Sequence, residues 1–461
     1  MVKKISLFTL ILFIIGSVDS IRNLPTTAIF GSDLIFFLLA SALLFLIPCA
    51  LLCAELATMH QEQSGVYAWI KQAFGSQYAM IAIWLQWINT MIWFPTILSF
   101  IAGVALHLMA PQFANNPYVL MSIVVTVFWL LTFLNLRGIR ISSRFAAICA
   151  LLGMAIPLGF IIFLGFLWVY EGHPLMIHVS PRHLIPHFSE QNSWISLTAI
   201  MASFLGIELT AVHLKDIKNP EKTFPKAMLL ATIFIVFTML AGAFSIAIVI
   251  PPQQLSLIDG VMETFTYYLQ NYHFTFLIPL MGAMILIGSV GSLINWMVSP
   301  AKGLLQAAED GFIPHYLQFL NGAGVPTRLL FLQGILVTFI CSAFLFMPSV
   351  NASYWLLTDL STQLYMLMYL ILFAAALMLG LSMIKTRPLL FVPGGKVGLW
   401  LLTLFGMMGV CLTLVVGFIP PKVLDIGGIF RYEVIFGVGM VLMILPGAFI
   451  AYYWKSKHPF L

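Results

Sequence analysis

Asp19, Arg22 and Glu208 are ionisable residues set inside long apolar stretches, each beside residues that break helices. The first stretch reads Gly16-Ser17-Val18-Asp19-Ser20-Ile21-Arg22-Asn23-Leu24-Pro25; the second reads Ser203-Phe204-Leu205-Gly206-Ile207-Glu208-Leu209-Thr210. A charge at bilayer depth is costly unless it faces a cavity or a partner. Glycine, proline and small polar residues there free backbone groups that hydrocarbon cannot satisfy. The chemistry that two such breaks support is binding. Unwound backbone and half-helix N-termini offer N–H groups and a positive dipole end to an anionic group. Asp19, Ser20, Arg22 and Asn23 of the first break are therefore candidate substrate contacts, with Ser203, Phe204 and Gly206 of the second.

Arg22 admits two readings. It pairs with Asp19, three residues away, if the segment is helical, or its guanidinium forks onto a substrate carboxylate. Glu208 is expected to gate and to sense pH, because burial favours the neutral form of a carboxylate; the plain alternative is pairing with His213. Tyr365 and Tyr369, four apart, share one helical face. With Phe204 they are candidates for lining the substrate path and Trp296 is a candidate gate, against simple aromatic packing. Glu55 is expected to anchor inner loops. His173, His178, His183 and His187 crowd one outer loop, where metal binding or acid sensing competes with plain solvation. No Cys, Asp or C-x-x-C accompanies them, so no metal is expected.

Composition sets the elements that must hold these residues. Hydrophobic types make up 61% of the 461 residues and charged types 8%, whereas soluble domains carry about a quarter charged. The chain therefore reads as an all-α membrane protein of twelve transmembrane helices. The first six apolar runs fall near 5–30, 34–54, 78–109, 119–136, 145–170 and 194–214. The second six fall near 227–250, 274–297, 329–347, 356–381, 397–419 and 434–454. Lys3 and Lys4 before the first run resemble a signal peptide, but Asp19 and Arg22 stand where its cleavage site would lie, so the run is read as retained. With both termini cytoplasmic, only Arg182, Lys422 and Arg431 of the 21 Lys and Arg fall outside, with Arg22 inside a span. The opposite orientation inverts that bias. The net charge of +5 thus reflects orientation, and no nucleic-acid partner is implied.

Breaks five spans apart are the mark of inverted repeats. The expected plan is a single transporter domain over 1–461, with a five-plus-five repeat in which helices 1 and 6 are discontinuous. The repeats cover about 5–170 and 194–381, and two further helices cover about 397–454. Residues 65–74 and 301–310 read as amphipathic helices on the inner interface, the second stopped by Gly311 and Pro314. The five cysteines show no metal spacing, and nucleotide-binding, zinc-protease and serine-hydrolase motifs are absent. No cofactor and no enzymatic activity are expected.

At several places the chain resembles the amino acid–polyamine–organocation superfamily. These are the run Lys215 to Ala227 after the second break, Gly291 to Trp296, Ala307 to Pro314, and Asn321 to Pro326. Ala54-Glu55-Leu56-Ala57, Gln363 to Tyr369 and Val392 to Gly398 are similar to the bacterial glutamate/γ-aminobutyrate antiporter family. The resemblance implies substrate held between spans one and six, an acid like Glu208 in gating and pH response, and aromatic gates. It implies exchange of glutamate for γ-aminobutyrate across a bacterial cytoplasmic membrane, a cycle that serves acid resistance when coupled to a decarboxylase. Its first break departs from the superfamily's glycine-rich pattern. The seven residues after Trp454 are too few for the C-terminal plug of the glutamate antiporter, so gating is expected within the membrane. Proton-coupled uptake is the alternative, with protons as co-substrate, although residues 145–170 lack the lysine such carriers can use. A sensor that binds without transporting is the alternative of another class. The sequence leaves the oligomeric state open.

Overall fold

Where apolar runs exceed the length of a bilayer's hydrocarbon core, every backbone polar group must be satisfied within its own segment, which selects helices. The computed structural model describes residues 6–59, 65–137, 148–149, 151–177, 186, 191–217, 219–384 and 391–454. Among them, 11 helices are long and apolar enough to cross a membrane. The remaining predicted span, the eighth, is the 20-residue helix Leu277–Trp296, about 30 Å long and matched to the hydrocarbon core. The seventh starts earlier than its apolar run, at Pro220–Ala247, because a proline is preorganised for the first helical turn. Large apolar side chains such as Phe133, Phe166, Phe237, Phe339 and Phe449 face outward, as a lipid-exposed surface requires.

The first span is broken where the sequence places the break. Helix Leu7–Val18 ends at Asp19, Ser20 is extended (φ −151°, ψ 123°), and a tight turn Ile21–Asn23 leads into Leu24–Ala28. In the sixth span, Gln191–Ala202 stops, and Gly206 adopts a left-handed conformation (φ +101°) before a tight-turn helix over Ile207–Asp216. Only glycine fits there. The φ disfavours any Cβ, and a Cβ at Gly206 would lie 2.9 Å from the Ser17 carbonyl oxygen. That near-contact brings the two breaks together.

Two 34-residue helices flank the breaks: the third span, Ser76–Met109, and the tenth, Val350–Met383. The fifth and eighth spans cross at paired glycines, where a Cβ on Gly153 would come within 2.6 Å of Gly288 Cα. Such small-residue contacts let membrane helices approach closely.

Polar ties close both faces. On the face assigned to the inside, Val66–Phe74 is a helix as expected. The 301–310 expectation is corrected: the segment divides into Ser299–Leu304 and a tight turn Leu305–Ala308, since Gly303 weakens a continuous helix. Asp310 beyond it accepts from Lys71 at 2.8 Å and from Tyr67 at 2.5 Å. Glu55 accepts the N–H groups of Phe391 (2.7 Å) and Val392 (3.2 Å), anchoring a loop as its position predicts.

On the opposite face, helix Gly260–Asn271 lies over Pro25 of the first span, which a Cβ at Gly260 would meet at 3.2 Å. His107 reaches Asp259 (3.4 Å) and Thr266 (3.1 Å), and the Ser256 N–H donates to Glu263 at 3.1 Å. Burial, with Asp259 nearby, pushes Glu263 from its usual 4.5 to about 7. The folded state then holds a proton that the unfolded chain releases near pH 4.5, so stability falls as pH rises from there to about 7 and levels off above. Glu263→Gln is expected to flatten that part of the melting-temperature profile. An unaltered profile would show that Glu263 does not titrate there.

Candidate functional site

Glu208 is buried at the start of the tight-turn segment that follows Gly206. Its Oε1 accepts from Tyr365 (2.5 Å) and Gln86 (3.1 Å), and its Oε2 accepts from Tyr369. The Tyr369 hydroxyl in turn accepts the Gly206 N–H at 3.0 Å. The second break is thereby clamped to the third and tenth spans through one carboxylate. All three donors are neutral, and among the described residues no ion pair reaches Glu208. The His213 side chain, its sequence-level alternative partner, lies outside the described residues.

Arg22 is equally buried. Its Nη1 donates to Thr96, its guanidinium stands 5.4 Å from the centre of the Trp93 ring, and it lies beside Tyr354. Asp19 accepts from Thr238 of the seventh span at 2.7 Å. Among the described residues no ion pair joins Asp19 to Arg22. The helical pairing fails because extended Ser20 separates the two side chains, and an i, i+3 contact needs a continuous helix.

Between these two charged ends runs a polar seam along the third and tenth spans. Ser361 donates to Asn89, and Trp93 packs against Trp296 with ring centres 5.9 Å apart. From Gln86, at the Glu208 end, to Thr96, at the Arg22 end, the seam is about 15 Å long at 1.5 Å per residue. Its two ends are a buried cation, Arg22, and a buried carboxylate, Glu208.

The sequence matches the amino acid permease family over residues 5–442. The chain belongs to that family. A glutamate/γ-aminobutyrate antiporter of Lactococcus lactis subsp. lactis is 30% identical over 99% of this chain and 91% of its own length. A transporter of Legionella pneumophila described as uncharacterized is 34% identical over 99% of this chain and 97% of that one. Among solved structures, a manganese transporter of Eremococcus coleocola shares the fold, with TM-score 0.56 at 14% identity over 98% of this chain and 95% of that one. This permease is thus a multi-pass membrane transporter of the amino acid–polyamine–organocation superfamily, for amino acid or amine substrates, and not an enzyme.

Within the permease, the expected residues divide. Glu208, Tyr365, Tyr369 and Gly206 form one hydrogen-bonded unit. Arg22 and Trp296 meet across Trp93. Ser203 bonds back to the Ala199 carbonyl (3.1 Å), and the Asn23 carbonyl accepts from Thr26 and Thr27 (2.8 and 3.2 Å), so these satisfy their own segments. Phe204 is fully buried, and Ser20 is half-buried. His173 contacts Glu171 at 3.1 Å, while His178, His183 and His187 lie outside the described residues. Among the described residues no cluster of metal ligands forms.

The sequence reading found the third span but missed its polar face. Gln86, Asn89, Trp93 and Thr96 recur at three- and four-residue intervals, the helical period that would have marked a polar face. It also missed Asp359, a buried acid in the tenth span that accepts from Tyr432 (2.7 Å) and Gln363 (3.1 Å). Its partners tie the tenth span to the twelfth, away from the seam.

Proposed function

We propose that this permease is an amino acid antiporter that exchanges glutamate for γ-aminobutyrate, or a closely related pair, by alternating access. The observation that carries the reading is the Glu208 cage: one carboxylate joins the second break to the third and tenth spans. Opening it frees the breaks to move against those two helices. The Lactococcus relative named for that exchange supports the substrate pair. The absence of lysine from residues 145–170 supports exchange over uptake. In this reading the substrate sits beside Ser20 and Gly206, the repeats are about 5–170 and 194–381, and both termini are cytoplasmic in a bacterial inner membrane. Proton-coupled uptake draws on the same buried carboxylate, with Glu208 carrying the proton.

Purified protein in liposomes separates the two. Labelled glutamate is expected to accumulate only in vesicles preloaded with glutamate or γ-aminobutyrate. Equal accumulation in empty vesicles under a proton gradient would replace exchange with uptake.

A further inference from the structure

We propose that a cavity on the face opposite Glu55 is a second ligand site, separate from the seam, that takes a short-chain primary amine as its ammonium ion. Such a site lies outside the exchange reaction and does not depend on it.

The cavity measures about 400 Å3, within the range of small-molecule sites, which are mostly apolar with a few placed polar groups. Three elements wall it. Met176 follows the fifth span, Ile250 and Pro251 follow the seventh, and Glu263 and Tyr267 come from the helix Gly260–Asn271. None of these residues belongs to the seam. The Met176 N–H donates to the Ile248 carbonyl at 2.9 Å, which ties two of the walls together. Glu263 and Tyr267, one turn apart, share a helical face and form the third.

Among the described residues Glu263 is the one charged side chain of the lining. Its Oε2 accepts the Ser256 N–H at 3.1 Å, which holds the carboxylate in place. Its Oε1 has no hydrogen bond and no ion pair among the described residues. The cavity thus offers a fixed carboxylate oxygen, an aromatic ring and apolar walls. An ammonium group pairs with the first and is attracted to the second, while the walls suit the methylenes of a short chain. An amino acid fits less well. The lining has no cation for its carboxylate, which would meet Glu263 as a like charge.

Binding should follow the charge on Glu263. The charged groups that act on it are Asp259, at the start of its own helix, and His107 of the third span, which hold each other at 3.4 Å. Glu171 and His173, on the loop that carries Met176, contact each other at 3.1 Å instead. With Glu263 pushed up to about 7, its carboxylate is charged in roughly a tenth of molecules at pH 6 and roughly nine-tenths at pH 8. A primary amine keeps its charge at both.

The test titrates n-butylamine into the full-length protein in lipid nanodiscs at pH 6 and pH 8, with binding read by calorimetry. The parent is expected to bind it about tenfold more tightly at pH 8. Glu263→Gln should weaken binding at least roughly tenfold at pH 8 and remove the pH dependence. Gln254→Trp, at an exposed position of the wall, should narrow the cavity and weaken binding with Glu263 intact. Glu208→Gln, in the seam, should leave the affinity within about twofold. A parent that does not bind butylamine at pH 8 overturns the proposal, as does a Glu263→Gln variant that binds as the parent does. Binding lost in Glu208→Gln and kept in Glu263→Gln would move the amine to the seam and overturn it equally.

Discussion

Glu208→Gln is expected to abolish the pH dependence of exchange while the protein still folds. The amide has the carboxylate's shape and keeps one acceptor oxygen, and the tyrosine hydroxyl facing its NH2 group can turn from donor to acceptor. The cage around the side chain, Tyr365, Tyr369 and Gln86, therefore survives. What disappears is the proton. Glu208→Ala is a different perturbation, because it strands three donors, at about 1–3 kcal/mol for each one left unsatisfied, and it should stop transport by loosening the second break. Exchange rates of the Gln variant and the parent, compared from acid to neutral pH in liposomes, check the expectation. Matching pH profiles would take Glu208 out of the pH response.

The second large effect concerns two tyrosines that look equivalent in sequence and are not. Tyr369 donates to Glu208 and accepts the Gly206 N–H at 3.0 Å. Tyr369→Phe thus orphans a carboxylate oxygen and a backbone N–H together, about 1–3 kcal/mol for each group. Tyr365→Phe removes one donor to Oε1, but Gln86 still donates to that oxygen at 3.1 Å. A loss of about 0.5–1.5 kcal/mol is expected there. Substrate affinity and thermal stability should both fall further for Tyr369→Phe than for Tyr365→Phe. Replacement of Tyr369 by Ala should cost still more, because its ring also packs edge-on against Phe45 at 4.8 Å. If the Ala variants of both tyrosines bind and exchange like the parent, the pair only fills space.

What the sequence made legible follows from which signals are local. A charge inside an apolar run is visible without knowing any neighbour, so Asp19, Arg22 and Glu208 stood out, and the flanking Gly206 and Pro25 placed the breaks. The four-residue spacing of Tyr365 and Tyr369 told which face they share, and both reach Glu208 from that face. Partners are another matter. Gln86 and Thr96 are neutral residues in a long apolar helix, and only the packing of the third span against the breaks gives them their roles. Whether Asp19 meets Arg22 turned on the backbone at Ser20, where an extended φ of −151° breaks the helical spacing. Asp359 carried the same signal as Glu208, but no helix-breaking residue beside it drew attention to a site. Its bonds to Tyr432 and Gln363 give it a packing role between helices.

The account places the substrate in the seam between Arg22 and Glu208. Cryo-electron microscopy of the protein in nanodiscs with saturating γ-aminobutyrate tests that placement most directly. Ligand density is predicted beside Ser20 and Gly206, with its carboxylate against Arg22. A cavity of about 400 Å3 on the face opposite Glu55, lined by Met176, Gln254, Glu263 and Tyr267 among others, is the place to look for the opposite result. Ligand density confined to that cavity, with the seam unaltered, would contradict the account.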